Sequence, residues 1–241
     1  MIFRGSAVAL ITPFFEDGAV DFESLGKLIQ YHLQNKTDAI VAIGTTGEAI
    51  TMTEEERLAV IKFCVEKINH KIPLIAGVGN NDTGESADFA KKASALNPDA
   101  ILVITPYYNK CNQEGLYRHF KTIAEASTAP VILYTVPSRT TVEIQPQTLK
   151  RLAEINNIVG IKDATGNLGY TAKIKNILPD DFAIYCGNDD VTVPMLSMGA
   201  DGVISVSANI LPNETHEMCQ AFFDADIEKS RQMQLKYLDM I

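Results

Sequence analysis

Eight short runs of apolar, largely β-branched residues alternate with amphipathic stretches of helical period along almost the whole chain. The runs are Ala7–Ile11, Ala39–Ile43, Pro73–Gly77, Ala100–Ile104, Pro130–Tyr134, Ile158–Lys162, Phe182–Cys186 and Gly202–Val206. Near-continuous apolar character describes strands covered on both faces, as parallel strands beneath helices are. Between them, helical spacing predicts Phe22–Gln34, Glu54–Ile68, Thr83–Leu96, Glu114–Ser127, Pro146–Ile155, Leu168–Leu178, Val191–Met198 and Pro212–Phe223. In the third of these, Phe89, Ala90, Ala93 and Leu96 form one face and Asp88, Lys91 and Lys92 the other. Strand starts recur about every 28 residues, the length of one strand, one helix and two loops. Eight such units is the count at which a parallel sheet closes, so the expected fold is α/β, a (β/α)8 TIM barrel. A doubly wound open sheet is the alternative, but it would be large and no G-x-G-x-x-G follows its first strand.

The composition, 46% apolar and 21% charged over 241 residues, is that of a globular chain. The longest apolar runs, such as Ala39–Ile43, fall far short of the ~20 residues of a membrane helix. No basic leader with a hydrophobic stretch opens the sequence, and a cytoplasmic location is expected. Thirty acidic against twenty-one basic residues give a net charge of −9 without any Lys/Arg cluster, so neither nucleic acid nor an anionic membrane is an expected partner. That field also repels an anionic metabolite, and a site for one needs a few cations placed locally. Cys64, Cys111, Cys186 and Cys219 lack C-x-x-C spacing and read as reduced thiols. His32, His70, His119 and His216 are dispersed, so no metal site is expected.

In a barrel the chemistry sits at the C-terminal ends of the strands. The polar residues there are Thr45, Thr46, Glu48, Tyr107, Tyr108, Tyr134, Arg139 and Lys162. Lys162 closes the apolar run Ile158–Lys162. A snorkelling lysine with a wet head is one reading. The other is a nucleophile, its pKa lowered from 10.4 towards ~7 by desolvation, that forms a Schiff base with a carbonyl. No G-x-S-x-G elbow or Cys/His neighbour offers an alternative nucleophile. Tyr134 and Tyr108 end or follow neighbouring strands, so both phenols are expected near the amine, with Thr45 as a middle link in a proton chain. The alternative reading has a strand-end tyrosine roofing the core with its hydroxyl in water. The loop Gly44-Thr-Thr-Gly-Glu48 has hydroxyls and N–H groups for a carboxylate, and Arg139 can hold a second anion bidentately or stand solvated.

Together, Gly44-Thr-Thr-Gly-Glu48, Thr105-Pro-Tyr-Tyr-Asn-Lys110, Tyr134-Thr-Val-Pro-Ser-Arg139 and Gly160-Ile-Lys-Asp-Ala-Thr-Gly166 resemble the dihydrodipicolinate synthase family, class I aldolase-type lyases of the pyruvate-dependent barrel superfamily. The resemblance runs from Phe3 to about Asp226. It implies a Schiff base between Lys162 and pyruvate, attack of the enamine on L-aspartate 4-semialdehyde, and cyclisation on the way to diaminopimelate and lysine, with no cofactor. Tyr134 then matches the general acid/base, and Thr45 with Tyr108 the relay to solvent. Thr46 matches the hydroxyl on the pyruvate carboxylate, Arg139 the guanidinium on the semialdehyde carboxylate, and Gly187 and Ile204 the pocket lining. Because a neighbouring subunit lends the second tyrosine in this family, Tyr108 implies a homo-oligomer, a dimer or a dimer of dimers.

Thr135 and Cys111 replace the Asn and Pro that the family often has, without removing a reacting group. Glu54 and Arg57 stand where lysine-inhibited members carry histidines, while Ala49, Asn81, Glu85 and Tyr107 resemble the rest of that effector cleft. This puts feedback by lysine in question. N-acetylneuraminate lyases and 2-keto-3-deoxy sugar-acid aldolases share the Lys and Tyr, but a polyol tail calls for neutral partners rather than Arg139. A non-catalytic pyruvate- or amino-acid-binding barrel is the alternative from another class. Residues 1–224 form the expected catalytic barrel and residues 225–241 the beginning of a C-terminal helical subdomain, shortened relative to the family. Ala225–Ile241 reads as an amphipathic helix with Ile227, Leu235, Leu238 and Ile241 on its apolar positions, ending without a cap.

Overall fold

A computed structural model describes residues 1–241. Eight parallel strands close into one barrel in sequence order: β1 (Gly5–Ala9), β2 (Ala39–Ala42), β3 (Leu74–Gly77), β4 (Ala100–Ile104), β5 (Val131–Thr135), β6 (Ile158–Asp163), β7 (Ala183–Cys186) and β8 (Gly202–Ser205). The helices are α1 (Phe22–Gln34), α2 (Glu54–Ile68), α3 (Thr83–Ser94), α4 (Gln113–Ala126), α5 (Pro137–Thr140), α6 (Pro146–Leu152), α7 (Leu168–Ile177), α8 (Thr192–Ser197), α9 (Pro212–Phe223) and α10 (Ile227–Lys236). Where side-chain caps mark the start, the sequence is easiest to read: Asp21 caps α1, Asp82 caps α3, and Thr53 with Glu56 forms a capping box on α2. Pro137, Pro146 and Pro212 open α5, α6 and α9 at the position where a missing N–H costs nothing.

Two separate apolar clusters follow from the pleat. The larger joins Val8, Ile40, Ile101, Leu133, Ile161 and Ile184 to helix residues such as Ile29, Val60 and Phe120, so it lies between strands and helices. The smaller contains Ala7, Ala9, Ala39, Val41, Ala100, Leu102, Ile132, Tyr134, Ala183, Tyr185 and Ile204 and no residue from any of the helices; it is the barrel interior. The strands thus alternate after all, with apolar residues on both faces and alanines crowding the inside, as parallel strands covered on both sides require. Phe3 stacks on Tyr185 at 4.2 Å between ring centroids, and the Tyr185 hydroxyl donates to the Phe3 carbonyl. The seam between β1 and β8 pairs Gly5 with Gly202, and a Cβ on Gly202 would overlap the Gly5 carbonyl oxygen.

Three expectations need correction. The first strand begins at Gly5 rather than Ala7 and ends before Ile11, because Gly5 and Ser6 pair with β8 while Ile11 lies exposed outside the ladder. The stretch Val191–Met198 is a 3₁₀ turn, Asp189–Val191, followed by α8. The C-terminal segment is not one helix over Ala225–Ile241 but α10 followed by a 3₁₀ turn, Leu238–Met240; Ile227, Leu235, Leu238 and Ile241 are exposed, and the buried residues of α10 are Ser230 and Gln234. Hydrogen bonding decides that orientation, with Ser230 Oγ donating to the Met218 carbonyl at 2.8 Å and Gln234 reaching the β7–α8 turn.

His32 and His119 are core residues rather than ligands, each paired through Nδ1 to a threonine, Thr37 and Thr83. Burial pushes both pKa values down to about 4. The unfolded chain protonates these rings near pH ~6.5, whereas the fold resists protonation until about pH 4. Their contribution is therefore intact above pH ~7 and is lost as pH falls, by about 2 kcal/mol per ring at pH 5. Urea unfolding should show a clearly lower midpoint at pH 5 than at pH 7.5. Equal midpoints would contradict the burial of two neutral imidazoles.

Candidate active site

Lys162 is the last interior residue of β6: its neighbour Ile161 belongs to the outer cluster, so Lys162 turns inward. Only 6% of it is exposed. Pairing across β5 and β6 sets Tyr134 directly beside it, with Lys162 Nζ 4.5 Å from the centre of the Tyr134 ring. The pKa of the amine is pushed down to about 8, chiefly by burial; the Asp189 carboxylate and the Cys186 thiol oppose this, and the Arg139 guanidinium adds to it. The direction is the one expected from sequence, with the Asp189 carboxylate offsetting part of the effect of burial. At pH 8 roughly half of the amine is still neutral. Burial also raises the pKa of the Tyr134 phenol, opposed by Arg139 and by the Thr45 side chain, so the phenol keeps its proton at neutral pH and can donate it.

Thr45 and Thr46 sit on the turn after β2, Thr45 exposed and Thr46 half-buried. The turn is built on Ile43, a buried β-branched residue at φ 47°, a backbone region such residues avoid. Gly77 on β3 makes room for it, since a Cβ there would overlap the Ile43 carbonyl oxygen. Gly77→Ala is expected to cost about 2 kcal/mol of stability and to weaken pyruvate binding through the displaced turn. Denaturant melts and the pyruvate KM check this, and an unchanged KM would separate the turn from binding.

Arg139 lies exposed on α5, a one-turn helix after β5 that periodicity does not reveal. Gly187 follows β7, its N–H donating to the Asp163 carbonyl at 2.8 Å, and a side chain there would run into Ala164. Ile204 is wholly buried on the inner face of β8. Lys162, Tyr134, Thr45 and Arg139 therefore converge on one end of the barrel, with Thr46 and Gly187 on the adjoining turns.

Tyr108 does not join them. It follows β4 at φ 70° and is 92% exposed, so within one chain Tyr134 is the phenol beside the amine. The left-handed backbone turns its ring outward, and Tyr107 is tucked in instead. The Tyr107 hydroxyl is buried without a partner, near enough to Arg57 and Glu85 to feel both charges. Arg57 lies over the Phe89 ring at 4.2 Å. Asn81 accepts from Asn109 at 3.3 Å through its carbonyl, and Ala49 opens a 3₁₀ turn.

The chain matches the family model described as the dihydrodipicolinate synthetase family over residues 2–241. It belongs to that family. A 4-hydroxy-tetrahydrodipicolinate synthase of Clostridium perfringens is 52% identical over 239 residues, 99% of this chain and 82% of that relative. Crystallised dihydrodipicolinate synthase from Acinetobacter baumannii, described as chloride inhibited and complexed with pyruvate, is 46% identical and superposes with a TM-score of 0.96 over 100% of this chain and 82% of that one. A monomeric dihydrodipicolinate synthase variant is 39% identical, with a TM-score of 0.95 over 98% of this chain and 80% of that one. These relatives favour the synthase reading over the sugar-acid aldolases. No helix of the chain is long and apolar enough to cross a membrane.

Two residues of this dihydrodipicolinate synthetase family member escaped the sequence reading. Asp163 accepts from Thr165 N, Thr165 Oγ1 and Thr171 Oγ1, which locks the loop that follows Lys162; the Asp-Ala-Thr-Gly turn was its available signal. Asp189 accepts from both Val206 N and Ser207 N at 2.9 Å and ties the turn after β7 to the turn after β8. Nothing local in the sequence announces that contact.

Proposed function

We propose that this chain condenses pyruvate with L-aspartate 4-semialdehyde to give 4-hydroxy-tetrahydrodipicolinate, through a Schiff base on Lys162. The observation that carries the reading is a buried amine at the barrel mouth, with a pKa of about 8, set against a protonated phenol. Neutral Nζ adds to the C2 carbonyl of pyruvate, and protonation of the resulting hydroxyl expels water to leave an iminium. Tyr134 is the proton donor and acceptor in that exchange. Loss of a C3 proton gives the enamine, whose carbon attacks the aldehyde of the second substrate. The substrate's amino group then adds to the C2 carbon of the iminium, closing the ring, and the bond from C2 to Nζ breaks with a proton passing to the lysine, so no cofactor is needed.

The Thr46 hydroxyl and the N–H groups of its turn hold the pyruvate carboxylate, while Arg139 holds that of the semialdehyde. Thr45 passes protons outward from Tyr134. Gly187 leaves backbone room for the ligand, and Ile204 floors the pocket. Tyr108 completes the relay in a second copy of the chain, a role to which its near-complete exposure lends support. Ala49, Asn81, Glu85 and Tyr107 are the candidate effector cleft. Borohydride reduction in the presence of pyruvate tests the central step: the reduced pyruvyl mass should appear on Lys162, and an unmodified lysine rejects the mechanism. Mass in solution tests the oligomer.

A further inference from the structure

The residue linking the C-terminal helix to the barrel mouth is a glutamine. Gln234 is only 6% exposed, and its amide spans two backbone groups: Nε2 donates to the Asp189 carbonyl at 2.9 Å and Oε1 accepts from Val193 N at 3.1 Å. A buried amide is costly unless both ends are paired, and here both ends meet the segment that leads from β7 into α8. Thr192 Oγ1 donates to the same Asp189 carbonyl at 3.2 Å.

The carboxylate of Asp189 is unevenly used. Oδ2 takes the N–H groups of Val206 and Ser207, whereas Oδ1 is buried and has no partner. A bare, buried carboxylate oxygen is expensive and favours any cation within reach. The turn after β7 that carries Asp189 follows the strand paired with β6, and the Asp189 charge acts on Lys162 against the effect of burial.

We propose that Gln234 is a positioning residue for the Lys162 chemistry: it holds the turn after β7 so that the Asp189 carboxylate balances the positive charge on the Lys162 nitrogen. This rests on the Schiff-base reading, in which that nitrogen is positive twice, as the resting ammonium and as the iminium. The other groups around it do not supply that charge. Tyr134 faces it with a protonated phenol, Arg139 repels it, and Cys186 is a thiol whose pKa burial pushes up to about 12. Tyr185, its neighbour on β7, is engaged with Phe3, and the Asp163 carboxylate is taken up by Thr165 and Thr171.

The test is the pH dependence of borohydride-trapped pyruvate adduct on the full chain. Asp189→Asn keeps an oxygen for the Val206 and Ser207 N–H groups and removes only the charge. Its acid limb should move down by about one pH unit, the low end of what an opposite charge does. Gln234→Met keeps the length, removes both hydrogen bonds and should move the limb the same way by less; the double variant should move no further than Asp189→Asn. Where Gln234→Met does not fold, Gln234→Asn, one methylene too short to span both partners, replaces it. A purely structural glutamine would lower the melting temperature and leave the limb in place, which overturns the proposal, as does an unmoved limb in Asp189→Asn. Absence of adduct from the unmodified chain at every pH rejects the Schiff-base reading itself, and the proposal with it.

Discussion

Lys162→Ala should yield no pyruvate adduct and reduce condensation by on the order of 10⁴-fold or more, as removal of a covalent nucleophile does. The fold should survive the change. An ammonium in a nearly closed site is held against its own desolvation, which is why its pKa falls to about 8, so removing it relieves a strain as it opens a cavity. Lys162→Met, which fills that cavity, should unfold no earlier than the parent and be equally inactive. Near-normal turnover by either variant would refute the covalent mechanism. A loss of activity that tracks a loss of folding would assign Lys162 a structural role.

Arg139→Ala should separate the two substrates. The guanidinium stands exposed on the rim of the mouth, off the buried β5–β6 pair that carries the amine and the phenol. Removing it should leave adduct formation with pyruvate nearly intact and lower kcat/KM for the semialdehyde by about 10²-fold, the value of a charge-assisted bidentate contact. The pH profile supplies a second readout. Arg139 adds to the depression of the Lys162 pKa, so its loss should move the acid limb of adduct formation upward, opposite to the shift expected from Asp189→Asn. Equal loss with both substrates would show that Arg139 holds the rim together instead.

Most of the barrel was legible because its signals are local. The apolar run Ala100–Ile104 is β4 residue for residue, and the Asp21 and Thr53 caps place the starts of α1 and α2 where periodicity puts them. The four motifs led to Lys162, Tyr134, Thr45 and Arg139 because a barrel brings successive strand ends together whatever lies between them. Elsewhere the local signal was absent or misleading. Gly5 and Ser6 look like loop until the seam with β8 closes, and the one-turn helix bearing Arg139 is too short for any periodicity. The apolar positions of the C-terminal segment do not say which face packs on the barrel, and the hydrogen bonds of Ser230 and Gln234 decide it.

The sequence by itself determined the count and order of the strands, the residue types at their ends and hence the chemistry available, since these follow from near-neighbour pattern and covalent identity. Only the tertiary structure decided which groups meet. It turned Tyr108 away from its own chain's amine, set a bare Asp189 oxygen near enough to act on that amine, and reached that aspartate from a helix 45 residues further on. The physical reason is that burial and electrostatic coupling depend on distance in space, which no single stretch of chain encodes.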